Sequence, residues 1–156
     1  MLIFFKEPDF LCFINSFKHM VAPNFYTFAW SLSPDTVYIM MKPLFDKSTV
    51  FIDQFLHKYR MYWHKKTSGY ITIERNFHYL SFANNEDLKD LVAGIHCQPL
   101  IYGWGVNFAE YPWTSYLLVL DGKTQWMQTE EVIRWFGDKD DFRKFHHEKL
   151  QNGLEY

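Results

Sequence analysis

Apolar positions near the N-terminus recur with helical spacing. In "PDFLCFINSFKHM" (8–20), Phe10, Phe13, Ile14 and Phe17 fall on one face, which predicts an amphipathic helix. Pro8 suits its first turn, and Val21-Ala22-Pro23-Asn24 breaks it. The period then changes to two. "FYTFAWSL" (25–32) predicts a strand, Ser33-Pro34-Asp35 a turn, and Thr36 to Lys42 a second strand, so the pair reads as a hairpin. On the second strand Thr36, Tyr38 and Met40 share one face, and Val37, Ile39 and Met41 the other. Leu2 to Phe5, just before the first helix, reads as a short strand or its remnant.

Helical spacing returns from Asp46 to about Lys66, with Val50, Phe51, Phe55 and Tyr62 in the stripe, Asp46 or Ser48 as cap, and Thr67-Ser68-Gly69 as the stop. "YITIERNF" (70–77) alternates and predicts a strand. Asn84 to His96 predicts a helix with an Asn cap and acids in its first turn, stopped by Cys97-Gln98-Pro99-Leu100. Leu100 to Tyr116 is an aromatic loop with a Pro112-Trp113 corner. "TEEVIRWF" (129–136) is a short helix capped by Thr129 and ended by Gly137, and a final helix runs over 138–151 with Gly153 beyond. This order predicts an α+β, ferredoxin-like sandwich with a mainly antiparallel sheet and helices on one face, followed by a C-terminal helical extension. The core spans about 1–97 and the extension about 98–156 of a single domain.

At 156 residues the chain suits one domain able to bury a core. Aromatic residues make up 21%, enough both to fill that core and to offer stacking platforms for bases. A net charge of −2 restricts any nucleic-acid site to a local patch. Cys12 and Cys97 make neither a metal cluster nor a disulfide framework, and reduced thiols fit a cytoplasmic protein. The N-terminus lacks the basic region and cleavage site of a signal peptide, and no run is long enough to span a membrane.

Of the seven histidines, none forms a zinc-binding pair of recognised spacing. His57 and His64 lie seven apart on the long helix, and His146-His147 reads as an exposed pair near a helix C-terminus. Gly103-Trp104-Gly105 is too short for a phosphate loop. The segment Asp53–His78 is the richest in candidate chemistry. Lys58, Arg60, Lys65, Lys66 and Arg75 face only Asp53 and Glu74, with Tyr59, Tyr62, Trp63 and Tyr70 interleaved. Cations suit phosphates and rings suit unstacked bases.

Three C-terminal strings add a resemblance. "GIHCQPLIYGW" (94–104) resembles a Tyr-Ile-His-x-Asn-Pro pattern followed by Gly. "YPWTSY" (111–116) resembles Pro-Trp-Ser-Ser-Tyr, and "EEVIRWFGDKDDFRKFH" (130–146) resembles a Glu-Val-Leu-x-Trp-Phe-Gly tail ending in Phe-x-x-Phe-His. In this order they resemble the IS200-like, REP-associated tyrosine transposases. "IFFKEPDFLCFINSF" (3–17) is similar to that family's Phe-rich first helix, and "FYTFAWSLSPDTVYIMM" (25–41) to its hairpin.

The resemblance implies single-stranded or hairpin DNA as partner, with Lys58, Arg60, Lys65, Lys66 and Arg75 on phosphates and Tyr62, Trp63 or Tyr70 under bases. The family's two metal-binding histidines fall on Thr36 and Tyr38. Hydroxyls there replace imidazoles that would hold a divalent ion on the scissile phosphate, so the resemblance implies a protein degenerate for strand cleavage, with no cofactor expected and Mg²⁺ or Mn²⁺ required only if cleavage persists. Asp35 can supply one oxygen, but its side chain is expected to face away. "YRMYWH" (59–64) places Tyr59 at the nucleophile position, whereas an ungapped alignment places His57 there. Family members carry a strand before the "IFF" segment, and here Met1 falls almost on it. The resemblance therefore also implies an exposed sheet edge, open to a protein partner or to self-association.

Overall fold

The structure, a computed structural model, describes residues 2–79, 81 and 84–153. Among these residues the architecture is mixed α/β, with six α-helices and one two-stranded antiparallel sheet. In chain order these are α1 (Glu7–Met20), β1 (Phe25–Ser33), β2 (Thr36–Pro43), α2 (Thr49–Thr67), α3 (Asn85–Ile101), α4 (Tyr116–Asp121), α5 (Thr129–Phe136) and α6 (Lys139–Asn152).

The hairpin forms where its alternation places it. Ser33 pairs with Thr36, Ser31 with Tyr38 and Trp30 with Ile39, and Phe28 is an extra residue bulging from β1. β1 is the buried spine of the molecule, covered at every position except Tyr26. Its edge away from β2 is closed by later chain. Leu32 N–H donates to Trp113 O at 2.8 Å, and Ser115 N–H donates to Trp30 O at 2.9 Å. Gln128 N–H donates to Thr27 O at 2.9 Å, and its side-chain oxygen accepts from Thr27 N–H at 2.7 Å. The Tyr111 hydroxyl caps the strand end by donating to Leu32 O at 2.6 Å. α1 and α2 pack through Phe13, Phe17, Phe55 and Tyr59 in edge-to-face contacts, each ring contributing about 1.5–3 kcal/mol by burial.

Four expectations are corrected. Tyr70 to Phe77 has no regular secondary structure and pairs with no described strand. Its alternation instead sets Ile71 into the core, and the Ile73 carbonyl accepts from the Arg60 guanidinium at 3.2 Å. Leu2 to Phe5 is not a strand, because the Ile3 and Phe4 N–H groups converge on one acceptor, Pro34 O, at 2.6 and 3.0 Å. α3 does not stop at His96 but runs to Ile101 with Pro99 inside it. Burial of every residue from Val92 to Leu100 offsets the hydrogen bond that Pro99 cannot make. His146 is not exposed but fully buried, because it follows Phe142 by one helical turn on the inward face of α6.

α2 ends within Thr67-Ser68-Gly69 as expected, with Ser68 taking the left-handed position at φ 56°. One helix start departs from expectation. Gln128 rather than Thr129 stands at the N-cap of α5. Asn84 caps α3 as expected, its side chain accepting from Asp87 N–H at 3.2 Å.

Candidate nucleic-acid interface

α2 has an inward and an outward face, and the candidate residues divide between them. Tyr59 lies inward and is 1% exposed. Its phenol donates to Ile3 O at 2.9 Å and touches Phe4 and Phe13. Burial raises its pKa far above the ordinary tyrosine value, and the nearby Asp9, Tyr62 and Cys12 add to the shift. A nucleophile needs the opposite, a base or a field that removes the proton. His57, the alternative at that position, is exposed.

Tyr62 and Lys66 are committed to Asp9. The Tyr62 hydroxyl donates to Asp9 Oδ1 at 2.7 Å, and the Lys66 ammonium forms an ion pair with the same oxygen. Asp9 Oδ2 accepts from the backbone N–H groups of Phe5 and Lys6 at 2.9 and 3.1 Å. This fully buried carboxylate therefore closes the start of α1 and clamps it to the end of α2. Burial alone would raise the Asp9 carboxyl, but Lys66, Tyr62 and the two N–H groups outweigh it and hold the pKa below the ordinary value. Burial, aided by the same contact, pushes Tyr62 up to about 12. Trp63 is 5% exposed beneath the ring of Phe5, at 5.0 Å, so no base can stack on it in this arrangement. Arg60 is half-buried and donates one guanidinium N–H to Ile73 O.

Lys58, Lys65 and Tyr70 face outward. Tyr70 is 87% exposed and stacks on His64 at 4.8 Å with planes 19° apart. Arg75 pairs with Asp53 on α2 and lies 5.3 Å from the Phe77 ring centroid, which is 6.3 Å from that of Tyr79. Tyr79 is also 87% exposed. Phe77 and Tyr79 were not among the residues singled out from the sequence. Their signal was a pair of aromatics two apart following Arg75, in a stretch whose alternation looked like ordinary strand patterning.

On β2, Thr36 and Tyr38 keep the shared face that the spacing predicts. Asp35 is not turned away as expected, since its carboxylate accepts from the Thr36 hydroxyl at 3.0 Å. A hydroxyl, a phenol and one hydrogen-bonded carboxylate do not match the imidazole-rich donor set of a catalytic divalent site. Among the described residues no group of three or more His, Cys, Asp or Glu is placed to hold a metal ion.

A third polar cluster lies wholly inside. His96 Nε2 is 2.7 Å from Ser115 Oγ, His96 Nδ1 is 2.8 Å from His146 Nε2, and His146 Nδ1 is 2.8 Å from Phe142 O. Ser115 Oγ accepts from Trp30 N–H at 2.9 Å. All three side chains are buried to 1% exposure or less. The cluster links α3, α4 and α6 to β1, and no substrate can reach the Ser115 hydroxyl. No family model matches the chain, and neither a curated protein nor a solved structure matches it.

Proposed function

We propose that the protein is a transposase-like DNA-binding protein that recognises single-stranded or hairpin DNA and does not cleave it. The supporting observations are the exposed rings Tyr70, Phe77 and Tyr79 and the exposed cations Lys58, Lys65 and Arg75, all carried by α2 and the segment that follows it. Rings of this kind take unstacked bases, and the cations take the backbone between them. Duplex DNA offers no free base faces to such rings. The burial of Tyr59 and the hydroxyls at Thr36 and Tyr38 argue against strand cleavage. In this reading the chain descends from a ferredoxin-like transposase core with a C-terminal helical extension, works in the cytoplasm and needs no cofactor.

The test is fluorescence anisotropy of a labelled hairpin with a single-stranded flank, titrated at two salt concentrations. Binding should weaken steeply with salt, and Lys58→Glu with Lys65→Glu should weaken it further. Salt-independent or absent binding would overturn the proposal. A covalent protein–DNA adduct formed with Mg²⁺ or Mn²⁺ and lost in Tyr59→Phe would overturn the non-cleaving part alone. A second reading, a subunit of a larger bacterial assembly, is favoured by the open side of β2.

A further inference from the structure

β2 pairs with β1 on its inner side, and no described strand lies along its outer side. Parity shows which backbone groups face outward. The two-residue turn Pro34-Asp35 makes Ser33 and Thr36 a hydrogen-bonded pair. At the other end, Leu44 N–H donates to Asn24 O at 3.1 Å. Even-numbered residues of β2 therefore direct their N–H and C=O groups to β1, and Val37, Ile39 and Met41 direct theirs outward. The bulge leaves this order intact because its extra residue, Phe28, belongs to β1. From Thr36 to Met41 the strand carries no charge, proline or glycine, which are the usual guards of an edge strand. Val37, Ile39, Met40 and Met41 are only half-buried.

We infer that β2 pairs antiparallel with β2 of a second copy of this chain, about a two-fold axis through Ile39, joining two hairpins into one continuous sheet. Symmetry, parity and Pro43 together select the register. Outward-facing residues must oppose one another, which a two-fold axis through any residue from Tyr38 to Met41 achieves, and the axis through Ile39 gives the longest overlap, Thr36–Lys42, that sets no outward residue against Pro43, which has no N–H to donate. Ile39 then faces Ile39, and Val37 faces Met41. Thr36 lies opposite Lys42 of the second copy, which places that ammonium beside the Asp35 carboxylate. Asp35 and Lys42 are the charges at the two ends of β2, and antiparallel self-pairing brings opposite signs together at both ends. The segment 70–79 is a weaker candidate for this edge. Ile71 is buried, and Arg60 and Asp53 hold Ile73 O and Arg75 against α2.

Sedimentation of the full chain from low to several hundred micromolar tests the pairing, which is independent of DNA binding. The mass should move from monomer to dimer with concentration. Ile39→Pro removes an outward N–H that the hairpin does not use, so it should abolish the dimer with an unchanged far-ultraviolet circular dichroism spectrum. Should that variant unfold, Lys42→Glu still decides, because it sets two carboxylates together at each end. It should weaken dimerisation by about tenfold, and adding Asp35→Lys should restore it. A monomer at every concentration overturns the inference, as does a dimer that Lys42→Glu leaves unchanged. Failure of Asp35→Lys to restore pairing overturns the register.

Discussion

His96 Nδ1 lies 2.8 Å from His146 Nε2 in a fully buried contact, and the direction of that bond is set two residues away from it in the network. The Phe142 carbonyl can only accept, so His146 Nδ1 carries the proton. His146 Nε2 must then accept from His96 Nδ1–H, and His96 Nε2 must accept from the Ser115 hydroxyl. Each imidazole is neutral with both nitrogens satisfied; a further proton on His146 Nε2 sets it against the Nδ1–H of His96, and one on His96 Nε2 forces the Ser115 hydroxyl to accept instead of donate.

The pH dependence of stability follows. Burial and the neighbouring His146 push His96 well below the usual histidine value. Burial, opposed by the Phe142 carbonyl and aided by His147, lowers His146 to about 3. Unfolded histidines take up protons near 6.5, so the unfolded chain binds more protons than the folded one below that pH. The stabilisation is complete above about 6.5 and declines as pH falls toward 3. Urea midpoints should be flat from pH 7 to 8 and drop steadily below pH 6. His146→Asn should lower stability at pH 7 and flatten the acid slope.

The Asp9 clamp should behave asymmetrically. Asp9→Ala strands the Tyr62 hydroxyl, the Lys66 ammonium and two backbone N–H groups, and should cost about 3–5 kcal/mol. Lys66→Met leaves three donors on the carboxylate and should cost less, about 1–2 kcal/mol. Chemical denaturation of both variants checks the order, and equal costs would contradict the clamp.

The same contacts separate the lysines in DNA binding. Lys66 is tied to Asp9, whereas Lys65 faces solvent. Lys65→Glu should reduce hairpin affinity and flatten its salt dependence, while Lys66→Met should change stability more than affinity. Tyr70→Ala and Tyr79→Ala should each cost about 1–3 kcal/mol of single-strand binding. Trp63→Phe should leave binding unchanged. Anisotropy titrations read all five.

Gly105 holds a close approach. A Cβ there would lie 2.7 Å from Tyr111 Cδ2 and 2.8 Å from Leu100 Cδ2. Gly105→Ala should destabilise by about 1–3 kcal/mol through overpacking, read as a lowered urea midpoint. Gly103→Ala, with nothing within 4 Å but φ at 78°, should cost about 1 kcal/mol through backbone strain alone.

What the sequence made legible was local. The hairpin, the Asn84 cap and the spans of most helices depend on neighbours within a few residues, and alternation or spacing reports them directly. The site was less legible because its partners are distant. Asp9 stands in the first turn of α1, and its pairing with Lys66 spans 57 positions. Tyr59 and Trp63 were counted with the cations beside them, although helical spacing from Phe55 and Leu56 places them on the buried side. His146 reads as exposed near a helix C-terminus, while its place one turn after Phe142 makes it part of an inward stripe. Pro99 was read as a stop, and tertiary burial carried the helix through it.

The closing of β1 by Trp113, Ser115 and Gln128 has a consequence for biosynthesis. The strand is translated early, yet the residues that satisfy its second edge arrive 81 to 101 positions later. A nascent chain ending before Gln128 would hold an apolar strand with open backbone groups, a species that chaperones bind and that aggregates when they are scarce. Premature stop codons shortly before that of Gln128 should therefore yield insoluble product rather than a shortened working protein.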